Sequence, residues 1–401
     1  MKGWETIKVK QCFKFRNGKS FNGILKEKAD NEYCYPVYGG NGVIGYCKTP
    51  LLKEPTLIVG RVGEYCGNVF KTQSESWVTD NAMLVNEILL KDFNIDFWAI
   101  KLNSLQFNHY SDSTGQPKVT QGGIGAISFT YPINNEEQTA IANILSKVDE
   151  TIAAVQNSID SAERLKKSLM QNLLTGKMKP DGTFRTPDEF YIDEKFGKVP
   201  VGWEVKKLKE VCTNTGEYGA NASAIPFNGL TPRYIRITDI DDFGNLIDED
   251  KATIDAENYD KYLLQDDDFL FARTGDTVGK SLLYKRAQMG MAVYAGYLIK
   301  YTFDKEKIIP EYFNVIAQSE FFERFKVAMK RIGAKPNINS GEYSSFKFLL
   351  PKTTQEQLAI LSRFNDVDTI ISKNNSKLIV LGKLKKSLMQ NLLTGKVRVI
   401  Y

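Results

Sequence analysis

The chain has one histidine and five cysteines, and neither residue type is arranged for chemistry. Catalysis by a histidine would have only His109 to draw on, and nothing in its setting singles it out. The cysteines (Cys12, Cys34, Cys47, Cys66 and Cys212) are odd in number and lack any Cys-x-x-Cys spacing. A zinc site is therefore not expected, and small buried thiols are the preferred reading. No run of eighteen apolar residues occurs, which excludes a membrane-spanning helix. The start, MKGWETIKVK, has no apolar core of the kind a secretory signal needs. A cytoplasmic protein without a membrane partner is expected. A strong excess of one charge is missing too: 53 Lys and Arg against 48 Asp and Glu give a formal +5. That balance is compatible with nucleic acid, yet a dedicated non-specific DNA binder would be more basic.

Motifs that imitate enzymes fail in their contexts. Gly40-Asn41-Gly42-Val43-Ile44-Gly45 satisfies G-x-G-x-x-G, but Pro50 and Pro55 follow and no helix opens at the glycines to meet a phosphate. A turn-rich loop is the better reading. Pro187-Asp188 followed by Asp193-Glu194-Lys195 mimics a metal-dependent nuclease signature, but the stretch is proline-rich and shows no supporting core. No methyltransferase motif of the Asn-Pro-Pro-Tyr kind is present. No catalytic residue, metal or cofactor is expected in this chain.

What the sequence does contain is a repeat. LKKSLMQNLLTGK, Leu165 to Lys177, returns unchanged as Leu384 to Lys396. Gly3-Trp4-Glu5 returns as Gly202-Trp203-Glu204, and Pro132 as Pro351. A duplication sets the architecture before anything else does. The 401 residues suffice for two domains, each with its own core. Residues 1–131 and 202–349 read as mixed α+β segments, with strands expected at Leu57–Val59 and Ala82–Val85 and a helix over Phe93–Asn108. Residues 132–177 and 350–401 read as long helices. Residues 178–201, with Pro180, Asp181-Gly182, Pro187 and Pro200, read as a linker.

Asn134 with Glu137, and Thr353 with Glu356, resemble capping boxes, and Gly176 is placed to end the first helix. Apolar residues then recur at Ile141, Leu145, Val148, Ile152, Val155, Ile159, Ala162, Leu165 and Leu169. The second copy has Ile360, Phe364, Val367, Ile371, Asn374, Leu378, Leu381, Leu384 and Leu388. These are heptad seams with one matched stammer, suited to pairing with each other or with partner helices. Asn374, where the first copy has Val155, either fixes register or points to solvent. Each helix, about 42 residues, would be roughly 60 Å long at 1.5 Å per residue, more than one turn of B-DNA. The offset between copies grows from 199 at the Gly-Trp-Glu starts to 212 at Arg61 and Arg273, and to 219 in the helices. Constant helices beside divergent globular parts suggest one geometry presenting two different surfaces.

Arg61-Val-Gly-Glu64 and Arg273-Thr-Gly-Asp276 occupy equivalent places, with Lys280 just after the second. Each arginine can reach outwards to a phosphate or a guanine, or can brace its turn against Glu64 or Asp276. Lys118 and Lys335 sit in matching Gly-x-Pro-Lys and Gly-x-Lys-Pro turns, with Lys330 and Arg331 nearby, and a DNA-facing loop is favoured there.

With these residues in place, the chain resembles, along its whole length, the specificity subunit of a Type I restriction–modification system. The resemblance rests on the duplicated LKKSLMQNLLTGK, the Glu-Gln-x-Ala-Ile helix starts (Glu137 to Ile141, Glu356 to Ile360) and the Pro200 to Glu204 entry. It rests also on Pro36 to Gly42 and on Arg61 to Glu64. It implies two α+β target-recognition domains, each reading half of a split double-stranded DNA sequence, related by a pseudo-twofold and separated by two antiparallel long helices. It implies as partners two modification subunits that hold S-adenosylmethionine and methylate adenine, and restriction subunits that use ATP and magnesium. Recognition domains diverge in such families, so no base-contacting residue carries over. A self-contained DNA methyltransferase or nuclease, and a coiled-coil scaffold without a DNA role, are the competing readings.

Overall fold

The computed structural model describes residues 3–112, 116–254, 259–329 and 336–400. It divides into two compact units, residues 1–157 with 374–401, and residues 158–373. Both boundaries fall inside the long helices, the central one at Asn135–Leu173 and the terminal one at Thr354–Leu392, each of 39 residues. Each unit is therefore a globular domain, the first half of its own helix and the last half of the other.

In the first unit, Trp4–Lys8 pairs antiparallel with Ser128–Pro132, placing Trp4 opposite Pro132. A four-stranded antiparallel sheet orders Phe13–Asn17, Ala82–Ile88, Leu57–Gly60 and Val69–Lys71. The strands expected at Leu57 and Ala82 are its central pair, and the helix expected from Phe93 runs over Ile95–Ser104. Tyr35–Gly39 and Gly42–Cys47 form a hairpin, so the G-x-G-x-x-G match is a turn and not a phosphate loop. The strand ending at Gly60 approaches this turn closely. A Cβ on Gly60 would lie 2.2 Å from the Gly40 carbonyl oxygen, a contact only glycine permits.

The second unit repeats the entry. Trp203–Lys207 pairs with Lys347–Pro351, with Trp203 opposite Pro351. One four-stranded sheet orders Glu217–Tyr218, Leu298–Tyr301, Phe269–Ala272 and Ser281–Leu283. A second orders Ala224–Pro226, Ala252–Ile254, Arg233–Ile235 and Ala292–Tyr294. Residues 178–201 are not a bare linker. Phe190–Asp193 and Gly197–Pro200 form a hairpin, and Val199 is fully buried in the second core. Asp193 accepts bonds from the amides of Lys195 and Phe196 at 2.9 and 2.8 Å, closing its own turn. Proline density marked the turns here and concealed the strands between them. Among the described residues, no three His, Cys, Asp or Glu side chains are grouped to hold a metal ion.

The repeated Leu-Leu of LKKSLMQNLLTGK shows how the units are built. Leu173 and Leu174 join the core of the second unit, and Leu392 and Leu393 that of the first. Each helix end thus fills the domain that belongs to the other copy. Gly176 (φ +65°) and Gly395 (φ +73°) follow these leucines in the left-handed conformation that ends a helix.

Within each unit the helix halves run antiparallel. Asp149 pairs with Lys385 at 2.5 Å in the first unit, and Asp368 with Lys166 at 2.6 Å in the second. These are the same two positions exchanged between copies. Ile141, Leu145, Val155 and Ile159 are buried as the seam requires, as are Ile360, Phe364 and Val367. Val148, Ile152, Leu169, Ile371, Asn374 and Leu388 are half-buried. Leu165 and Leu384 depart from the seam, being 49% and 45% exposed. The stammer explains this: two three-residue steps advance about 600°, so each leucine lands roughly 120° around the helix from the seam residue six positions before it. Leu384 instead lines a groove of about 530 Å³ with Ile144, Val148 and Leu381.

A buried lysine distinguishes the first unit. Lys101 donates to the Leu393 carbonyl at 2.7 Å, at the end of the terminal helix, and its ammonium lies 5.5 Å from the Phe129 ring centroid. Desolvation lowers its pKa to about 8. The unfolded lysine, near 10.4, binds more protons than the folded one between these values. Stability of the first unit should therefore rise as pH increases from about 8 to about 10.5. Lys101→Met should flatten that rise, as read by denaturant titration at several pH values.

Candidate nucleic-acid interface

Two features recur in both units, one at the foot of each helix and one at the end of a central strand. At the foot, the Trp4 indole N–H donates to Glu137 at 3.3 Å, and the Trp203 indole to Glu356 at 3.0 Å. An arginine from beyond the other helix closes each clasp. Arg398 meets Glu137 at 2.5 and 2.7 Å, and Arg185 meets Glu356 at 2.5 Å. Each guanidinium also lies over its tryptophan, at 6.0 and 5.5 Å. The neighbouring glutamines are fully buried. Gln138 bonds the Pro132 carbonyl and the Asn94 amide, as Gln357 bonds Pro351 and Ile309. The Glu-Gln helix starts are thus sockets for the domain. At the helix starts Asn134 accepts from the Glu136 amide and Thr353 from the Glu356 amide, while the Glu137 and Glu356 carboxylates meet the clasps. Sequence reasoning missed Arg185 and Arg398, which lie at different distances beyond their helices and so carry no repeat signal.

At the strand ends a common backbone frame holds Arg61 and Arg273. Arg61 N–H donates to the Asn81 carbonyl, and the Arg61 carbonyl accepts from Val119. Arg273 N–H donates to the Tyr297 carbonyl, and its carbonyl accepts from Ile338. Gly63 bonds the Pro117 carbonyl at 3.0 Å as Gly275 bonds that of Pro336 at 2.9 Å. Val62 bridges Lys118 as Thr274 bridges Asn337. This frame corrects the pairing of the two turns. Pro117 corresponds to Pro336, so the counterpart of Lys118 is Asn337 and not Lys335. The Pro-Lys and Lys-Pro order in the sequence hid a shift of two residues. Lys330, Arg331 and Lys335 lie outside the described residues.

The side chains on this frame differ. Arg61 donates through Nη1 to the Asp80 carbonyl at 2.8 Å, beside exposed Lys118. Arg273 lies 4.8 Å from the Tyr218 ring centroid, and its Nε–H reaches Asn337 Oδ1 at 3.4 Å. Neither arginine pairs with the acid of its own turn: Glu64 and Asp276 are in no ion pair among the described residues. The internal carboxylate brace is thereby removed as an explanation. Lys280 is engaged, with Asp242 at 3.0 Å and the Ile240 carbonyl at 3.2 Å. Tyr218 accepts a bond from the Ser340 amide at 3.2 Å. Burial alone would raise its pKa, but the Ser340 contacts and the Arg273 charge outweigh this and hold it below the usual tyrosine value. Tyr218, Asn337 and Asp80 were not singled out in the sequence, because their roles arise from strand pairing.

Comparison with known proteins places these features in a family. The model of the Type I restriction modification DNA specificity domain matches twice, over residues 1–164 and 200–381. The MjaVIII specificity subunit of a Type I restriction enzyme from Methanocaldococcus jannaschii is 25% identical over 411 residues, covering 99% of this chain and 93% of its relative. The EcoprrI specificity subunit from Escherichia coli is 32% identical over 164 residues, 40% of this chain and 39% of its relative. Among solved structures, the S subunit of a Type I system from M. genitalium superposes with a TM-score of 0.61 at 16% identity, covering 97% of this chain and 96% of the other. A chain solved in work on complex assembly and conformational transition of the type I R-M system gives 0.57 at 12%, covering 99% of both. With both globular domains and most of both long helices matched, the chain belongs to the Type I restriction–modification specificity family.

Proposed function

We propose that this chain reads a bipartite, asymmetric double-stranded DNA site, one half with each domain, and scaffolds the subunits that act on it. The observation that carries this reading is the duplicated arginine frame. One backbone arrangement appears twice, with Arg61 and Lys118 on one copy and Arg273, Asn337 and Tyr218 on the other. Equal frames with unlike side chains suit two half-sites of unlike sequence.

The chain itself supplies no catalysis in this reading. Two modification subunits holding S-adenosylmethionine methylate adenine, and restriction subunits using ATP and magnesium join them in the cytoplasm. The half-exposed Leu165 and Leu384, on identical stretches, are the positions offered to those partners. Among the described residues, no helix is long and apolar enough to cross a membrane.

The test is reconstitution. The purified chain should transfer no methyl group alone, whereas the chain with its modification subunits should methylate adenine at one split motif. DNA binding should fall steeply between low and moderate salt. Methyl transfer by the chain alone would establish the self-contained enzyme instead. Assembly without salt-dependent DNA binding would establish a scaffold.

A further inference from the structure

We propose that Arg273 reads a guanine in the half-site of the second domain, with Tyr218 and Asn337 as the residues that position it. The proposal rests on the DNA-reading role above and names the base and the side chain. Arginine carries five N–H donors in one plane, and its most specific use is a pair of parallel bonds to guanine O6 and N7. Such a pair requires the plane to be set before DNA arrives.

Here the plane is set from several sides. The backbone of Arg273 is fixed by the Tyr297 carbonyl at 3.0 Å and the Ile338 amide at 2.9 Å. Its guanidinium lies on the Tyr218 ring at 4.8 Å. That ring is held at its far end by the Ser340 amide. Asn337 takes the Nε–H, and Asn337 is itself bridged to Thr274. Among the described residues, no protein acceptor occupies the two terminal nitrogens. The fork that remains is the one that meets two acceptors side by side.

A phosphate would also offer two oxygens, and the tethering decides between them. A phosphate contact needs charge and tolerates a swivelling side chain, as a lysine shows. An aromatic platform with an amide brace restricts the direction of approach, which helps only where the acceptors have a fixed place and plane. Arg61 makes the contrast on the same frame. It spends Nη1 on the Asp80 carbonyl, and among the described residues no ring lies beneath it, so its fork is not free in the same way.

The experiment uses the chain assembled with its modification subunits. The methylated motif is first mapped for the unaltered complex. Competition binding then uses duplexes carrying each base change in the second half-site, for the unaltered complex, Arg273→Lys and Tyr218→Leu. Arg273→Lys keeps the charge and removes the fork. It should lose roughly 10- to 100-fold of discrimination at one G·C pair, with the first half-site read as before. Tyr218→Leu should relax the same position, and Tyr218→Phe should restore part of it. Full discrimination retained at every position, with uniformly weaker binding, would show a phosphate contact and overturn the proposal. Equal loss at all positions would also overturn it. A split motif absent from the unaltered complex would instead sink the DNA-reading role on which the proposal stands.

Discussion

Leu173→Ala is expected to destabilise the second domain, although the leucine belongs to the helix that follows the first. Leu392→Ala should do the reverse. Both side chains are buried, at 0% and 4% exposure, each in the core of the unit formed around the other copy. Truncating a buried leucine typically costs about 2–5 kcal/mol, from lost transfer energy and the cavity left behind. Hydrogen exchange resolved by peptide would locate the loss. Protection should fall across 202–349 for Leu173→Ala and across 3–131 for Leu392→Ala. Protection lost in the sequence-adjacent domain instead would contradict the exchanged packing.

The second large effect is expected at the clasp. Glu137 is 1% exposed and answers both the Trp4 indole and the Arg398 guanidinium. Arg398→Ala leaves that carboxylate buried with its cation removed. Breaking a buried pair this way costs about 3–5 kcal/mol, and the low end applies because the arginine side chain is 42% exposed. The double change Glu137→Gln with Arg398→Ala should recover part of the loss, since a neutral amide can still accept from Trp4. Thermal unfolding of the four variants of this cycle would measure the coupling. Equal losses for Arg398→Ala alone and for the double variant would show that the clasp contributes through packing and not charge.

Much of this was legible in the sequence where it depended on local periodicity. The duplication, the two long helices and their glycine ends follow from spacing alone, because a helix repeats its own rule every turn. Leu165 marks where that rule fails: the periodic stripe was carried through the stammer, but the backbone rotates the leucine out to solvent. The hairpin at 190–200 was hidden because prolines and glycines marked its turns more strongly than four-residue strands could announce themselves. The arginine frames were visible as Arg-x-Gly-acid motifs, but the acid proved irrelevant to the arginine. What holds Arg273 is Tyr218, 55 residues before it, and Asn337, 64 residues after it. Pairings at that separation are made by the sheet, and a single sequence carries no trace of them.

The exchange of helix ends also orders events during synthesis. The second unit is one continuous stretch, residues 158–373, and every residue of its core is available once that stretch has emerged. The first unit waits for Leu392, Leu393 and Arg398, more than 200 residues after its own globular part has been made. Closing so long a loop is slow relative to local pairing. The domain that leaves the ribosome first is therefore the last to be finished, and a nascent chain stalled before its final turn of helix holds a folded second domain while the first is still open.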